Sequence, residues 1–153
     1  MSQRRVIKNG EIELDHIGIA VPQIATSSAF WKALGWTNTS ADESYPAELV
    51  ADQKVQVAML ETNNRARVEL LEPTDDASTV KKFMDKRGPG IHHLCFRVKN
   101  IVEVLKTLKA AGVKLINESP VPGAHDMMVA FVHPSSTGGV LVELSEPKQS
   151  VSK

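Results

Sequence analysis

The chain has 153 residues, 42% of them apolar, and its 18 Lys plus Arg balance 18 Asp plus Glu. That suffices for a well-filled core and leaves no net field to draw in nucleic acid or an anionic membrane surface. One cysteine excludes an internal disulfide, no apolar run nears the roughly 20 residues that span a bilayer, and the basic start MSQRRVIKNG lacks the apolar stretch of a secretory signal. A cytoplasmic protein with neither nucleic-acid nor membrane partners is expected.

In chain order, HIGIAV (16–21) alternates and carries β-branched residues, which predicts a strand. Ile24, Ser28, Trp31 and Leu34 recur at helical spacing behind it, and Gly35 stands where a helix takes a left-handed C′ residue. Three strands are expected next, near Thr37–Ser44, Lys54–Leu60 and Ala66–Leu71. The stretch 74–89 follows, with Ser78 or Thr79 as cap of a short helix that docks Val80, Phe83 and Met84. HLCFRV (93–98) then repeats the first strand. Ile101, Val104, Leu105 and Leu108 form one helical face behind Asn100 as N-cap, and Gly112 ends that helix. Strands near Lys114–Asn117, Met127–Val132 and Val140–Leu144 close the pattern.

The second half therefore repeats the first. Residues 14–35 align without a gap on 91–112, and VELLEP (68–73) matches VELSEP (142–147). The reading is an α+β fold of two tandem βαβββ modules in one domain over 12–147, with module one at 12–73, a linker helix at 74–89 and module two at 90–147. Strand alternation sends Ile17, Ile19 and Val21 to the helix, and His16, Gly18 and Ala20 to the opposite face. Leu94, Phe96 and Val98 likewise oppose His93 and Cys95. Glu69 and Glu143 point away from the flanking Val and Leu of each VEL. Each module thus offers one imidazole and one carboxylate to the face away from its helix.

A carboxylate on such a covered face is costly unless paired, hydrogen-bonded or metal-bound. If the two sheets curve around a shared cup, His16, Glu69, His93 and Glu143 converge on one divalent metal ion. Two glutamates then neutralise it, and two coordination positions stay open on an octahedral ion. Mixed imidazole and oxygen ligands suit Co, Mn, Ni, Fe or Zn. His92 aligns with Asp15 rather than His16 and is expected to be structural. His125 and His133 read as loop residues, Cys95 as packing, SSTGG (135–139) as a turn, and Lys81, Lys82, Lys86 and Arg87 as a solvated helix face open to a phosphorylated substrate tail.

HIGIAV, ELLEP, KFMDKRGPGIHHLCFRV (82–98) and AHDMMVAFVHPSSTGGVLVELSEP (124–147) resemble the vicinal oxygen chelate, or glyoxalase/bleomycin-resistance, superfamily, and within it the methylmalonyl-CoA epimerase family. The resemblance puts His16, Glu69, His93 and Glu143 on that family's metal ligands. It implies epimerisation of (R)- and (S)-methylmalonyl-CoA by proton transfer through a metal-stabilised enolate, within propionate metabolism. A small acyl-CoA substrate and a homodimer come with it, and Glu143 is expected as a catalytic base. Some members carry a partner base, a glutamate, on the third strand of the first half; alignment puts Gln56 or Val57 of KVQVAML there. The family often has lysine where Ser135 stands and GAHG where this chain has GAHD. Lactoylglutathione lyase is the alternative of the same fold, although its last strand usually follows an Asp-Pro-Asp-Gly type turn. A metal-free small-molecule binder is the other, and such members usually lack the four-residue set.

Overall fold

A computed structural model of the chain describes residues 11–38 and 47–149. They form two compact units, His16–His92 and a second made of the described residues up to Asp15 together with those from His93 onward. The architecture is the α+β arrangement of tandem strand-helix-strand modules.

The first unit takes in β1 (Ile12–Ala20) from His16 on, α1 (Ile24–Ala33), β2 (Thr37–Asn38), β3 (Glu48–Val50), β4 (Val55–Glu61), β5 (Arg67–Pro73) and α2 (Thr79–Arg87). Its strands run in the order β2-β4-β5-β1, with β3 also paired to β4. β1 lies parallel to β5 through Ile17↔Val68, Gly18↔Glu69 and Ile19↔Leu70, and β4 is antiparallel to β5 through Ala58↔Leu70 and Met59↔Glu69. Parallel neighbours need a crossover, and α1 supplies it. The helix core comprises Val21, Ile24, Ala58, Leu60, Val68 and Leu70, with Ile19, Trp31 and Trp36 packed against it. Every strand residue in that set has the parity opposite to His16 and Glu69, as the alternation requires.

The second unit repeats this design with β6 (Gly90–Val98) from His93 on, α3 (Ile101–Ala110), β7 (Val121–Pro122), β8 (Met127–Val132) and β9 (Leu141–Pro147), in the order β6-β9-β8-β7. Its helix core is Val98, Ile101, Val104, Leu105, Ala130, Val132 and Leu144. α1 and α3 each have ten residues, and both are followed by a glycine with positive φ, 89° at Gly35 and 82° at Gly112. A side chain there meets the steric cost of the left-handed region. Asn100 caps α3 as expected, its side chain accepting from the Glu103 amide, while Ser78 caps α2 through the Val80 amide.

Two elements depart from the sequence expectation. The segment near Lys114–Asn117 is reduced to an isolated bridge, Leu115↔Val132, flanked by backbone hydrogen bonds from His133 to Lys114 and from Ile116 to Phe131, and the short β7 pairs further back along β8. The first unit gains β3, a short strand before the 51–53 turn that reverses the chain through Lys54 at φ 53°. The strand expected near Thr37–Ser44 is present over Thr37–Asn38, and its remainder lies outside the described residues.

Candidate active site

In the first unit, β1 and β5 set one histidine beside one glutamate. Gly18 is the register partner of Glu69, so β1 sets no side chain of its own directly opposite that carboxylate, and His16 two residues back reaches it. His16 Nε2 lies 3.5 Å from Glu69 Oε1, with only 6% and 7% of the two side chains exposed. This is longer than the usual hydrogen-bond range of about 2.7–3.2 Å. Met59 faces Glu69 across the β4–β5 ladder, and Val57 and Leu71 share the same face; all three are buried and lie outside the helix core. A carboxylate walled by apolar groups needs a polar or ionic partner, because desolvation of the charge is expensive.

The second unit repeats the arrangement more tightly. His93 Nε2 and Glu143 Oε2 are 3.0 Å apart, with side chains 3% and 12% exposed. Phe131 faces Glu143 across β8–β9, and its ring meets His93 edge-on at 6.3 Å. Cys95, the register partner of Glu143, donates its thiol to Ser145 Oγ at 3.3 Å, and both are buried. The four residues singled out in the sequence are thus brought together as His16 with Glu69 and His93 with Glu143, each pair facing away from its helix.

β3 changes the inventory of acids. Glu48 pairs with Val57 across the antiparallel β3–β4 ladder, and directly opposed residues share a face. Glu48 therefore stands on the same side of its sheet as Met59 and Glu69, and it is exposed. At strand spacings of about 4.8 Å and a rise of about 3.4 Å per residue, its Cα lies about 12 Å from that of Glu69, room for a small substrate between their side chains. From the sequence, the strand over Lys54–Leu60 is the third of the module and offers only Gln56 and Val57. With β3 present, the third strand in chain order carries a glutamate. The available signal was YPAELV, a short alternating run just ahead of a turn.

The acids that follow the paired glutamates also have a defined task. Glu72 Oε2 accepts from the Ile24 amide at 2.8 Å, and Glu146 Oε2 accepts from the Ile101 amide at 2.9 Å while Oε1 takes the Asn100 amide at 3.2 Å. Each last strand thus closes the N-terminus of its own unit's helix with the final glutamate of VELLEP or VELSEP. His92 is half-buried with its ring edge-on to Phe83 at 4.9 Å, a packing position. His133 accepts the Ser135 amide on Nδ1 at 3.0 Å and closes the 134–136 turn. His125 is exposed beside Asp126, both with φ of 55°.

Residues 15–131 match the model of the glyoxalase/bleomycin resistance protein/dioxygenase superfamily. The chain is 39% identical to the uncharacterized protein YqjC of Bacillus subtilis over 135 residues, 88% of this chain and 92% of that one. It is 38% identical to the mitochondrial methylmalonyl-CoA epimerase of Dictyostelium discoideum over 140 residues, 91% of this chain and 81% of the relative. The Streptomyces coelicolor methylmalonyl-CoA epimerase solved with 2-nitronate-propionyl-CoA superimposes with a TM-score of 0.78 at 30% identity, covering 89% of this chain and 97% of that structure. With that pair of matched histidine–glutamate strands, the chain belongs to the glyoxalase/bleomycin resistance protein/dioxygenase superfamily and, within it, to the methylmalonyl-CoA epimerase family.

Proposed function

We propose that this protein epimerises methylmalonyl-CoA at the carbon between its thioester and carboxylate, with a divalent cation held by His16, Glu69, His93 and Glu143. The observation that carries the reading is the duplicated pair, His16–Glu69 at 3.5 Å and His93–Glu143 at 3.0 Å, each on the face away from its helix, with His16, Glu69 and His93 buried and Glu143 half-buried. Two donors in neighbouring positions around one ion, with bonds of about 2.1 Å, stand about 3.0 Å apart. Nitrogen and carboxylate oxygen donors at such separations suit Zn, Mn, Co, Ni or Fe. Both pairs therefore fit the cation. When bound, it supplies Lewis-acid stabilisation of negative charge developing on the substrate oxygens.

The residues of the chain carry the proton. One oxygen of Glu143 faces His93, which leaves the other to take the proton from the α-carbon. Loss of that proton leaves a planar enolate, and a proton returned to its opposite face inverts the centre. Glu48 is the second base: it is exposed and stands on the ligand face of its own unit, and the relay requires a further carboxylate to serve the other face of the enolate. The apolar walls of Met59 and Phe131 keep water from the two glutamates they face. No described helix is long and apolar enough to cross a membrane. A cytoplasmic homodimer acting on this small acyl-CoA is part of the proposal.

The test is transfer of solvent deuterium into the α-position of each methylmalonyl-CoA epimer, followed by mass spectrometry before and after chelation and readdition of metals. Exchange that disappears with chelator and returns with one of the five metals is the expected result. Isomerisation of the methylglyoxal–glutathione adduct, with no exchange on the thioester, moves the activity to the lyase.

A further inference from the structure

α2 presents cations that neither the fold nor the reaction above employs. The helix buries Val80 and half-buries Phe83 and Met84, so Lys82 and Lys86, four residues apart, share its solvent side. Lys81 is committed to Asp85, whose carboxylate holds the ammonium pKa above its ordinary value. Lys82, Lys86 and Arg87 make no ion pair among the described residues, whereas Lys106 and Lys109 on α3 are matched by Glu103 and Glu118. By helical spacing, Lys86 and Arg87 flank Phe83 on either side. The Arg87 guanidinium lies over that ring, 5.8 Å from its centre, and the ring meets His92 at 4.9 Å. The helix dipole accounts for cations in a last turn, though not for Lys82 or for like charges set four residues apart.

We propose that Lys82, Lys86 and Arg87, gathered around the Phe83–His92 ring pair, bind a phosphorylated nucleotide, namely the adenosine 3′,5′-bisphosphate end of a coenzyme A thioester. The assignment rests on the acyl-CoA reading above. Phosphate oxygens take charge-assisted hydrogen bonds from guanidinium and ammonium groups, and a planar base packs against aromatic rings and guanidinium planes. The chain as a whole is neutral, so this attraction is local to α2 rather than a general affinity for anions.

Calorimetric titration of the full chain with adenosine 3′,5′-bisphosphate, beside inorganic phosphate, tests the site. Binding should weaken about tenfold in the Lys82→Gln/Lys86→Gln/Arg87→Gln variant and fall with rising salt in the wild type. An unchanged circular dichroism spectrum and melting temperature show that the variant folds. Equal affinity in both proteins, no binding by the wild type, or phosphate bound as tightly as the nucleotide overturns the site. The epimerase reading is judged separately, by α-proton exchange on methylmalonyl-CoA and on the methylmalonyl thioester of pantetheine. The variant should raise KM on the first alone, with kcat unchanged on both. Exchange with neither thioester by the wild type sinks the epimerase reading and leaves the titration to decide the nucleotide site.

Discussion

Glu146→Ala should cost about 2 kcal/mol of folding stability. Glu146 accepts two amides at the start of α3, from Ile101 at 2.9 Å and from Asn100 at 3.2 Å. Asn100 is exposed, so water replaces the partner of its amide at little cost. Ile101 is 2% exposed and anchors the helix core of the second unit, so its N–H is left unsatisfied. A hydrogen bond to a charged acceptor contributes about 1.5–3 kcal/mol, and the carboxylate at a helix N-terminus adds about 0.3–1 kcal/mol at a part-exposed position. Partial rehydration of the Ile101 amide offsets some of this, which brings the loss to about 2 kcal/mol, or about 4–8 °C in Tm for a chain of this size. Glu146→Gln keeps an acceptor oxygen and loses the charge, so it should cost about 1 kcal/mol. Guanidinium denaturation at equal m values measures both. If the alanine and glutamine variants both stay within about 0.5 kcal/mol of wild type, the carboxylate does not hold the helix and the reasoning fails.

Glu72→Ala should lose a similar amount, because Gln23 offers no side-chain cap to α1 and Glu72 alone takes the Ile24 amide; parallel denaturation compares the two. Gly123→Ala should destabilise by about 1–3 kcal/mol, since a Cβ there falls 2.7 Å from Val129 Cγ1 on a buried strand, and the added Val129→Ala should recover part of the loss. Leu70→Ala, at a fully buried position of the first helix core, should cost about 2–5 kcal/mol by the same assay. Glu48→Gln should slow epimerisation about 100-fold or more yet leave deuterium exchange without inversion on one epimer, since Glu143 still lifts and returns a proton on its own face; equal loss of exchange from both epimers removes Glu48 from the relay. His93→Ala should weaken metal binding in equilibrium dialysis at least tenfold, and unchanged binding takes His93 out of the ligand set.

The repeat made the histidine–glutamate pairs readable before any coordinates. Strand alternation is a two-residue rule with little freedom, so once HIGIAV and HLCFRV are strands, His16 and His93 must oppose the helix face. The helices were legible for the same reason, through Ile24 and Ile101 at matched positions and glycines at both C-termini. What stayed hidden depends on contacts between residues far apart in the chain. Glu72 and Glu146 recur as clearly as Glu69 and Glu143, but their partners lie 48 and 45 positions away in a helix start that carries no mark of needing them. β3 has three residues and pairs along the edge of β4, so the short alternation of YPAELV is all that marks Glu48 in the sequence. The 114–117 segment alternates well enough for a strand, yet it meets β8 only at the single bridge Leu115↔Val132, and the two-residue β7 further on takes the Met128–Val129 end of that strand.

Divergence between the two copies is concentrated on the faces away from their helices. On the helix side the copies keep like with like, as in Ala58 and Ala130, Leu60 and Val132, or Leu70 and Leu144. On the opposite face the equivalent positions part company: Gly18 and Cys95, Met59 and Phe131, Leu71 and Ser145. The histidine and the glutamate survive in both, as does the valine opposite Leu71 or Ser145, Val57 in one unit and Val129 in the other. Packing constrains the buried helix faces identically in each copy, so drift there is limited to swaps of similar volume. The opposite faces share their polar chemistry at the histidine and the glutamate. A thioester and a carboxylate differ in charge and shape, and two identical faces cannot tell them apart. On the proposed reaction, the hydrogen-bonded Cys95–Ser145 pair of one unit and the apolar Gly18–Leu71 surroundings of the other would supply that difference. Ser145→Leu, which copies the first unit's residue into the second, should therefore raise KM for methylmalonyl-CoA more than it lowers kcat; an unchanged KM would mean that the asymmetry of the two faces plays no part in recognition.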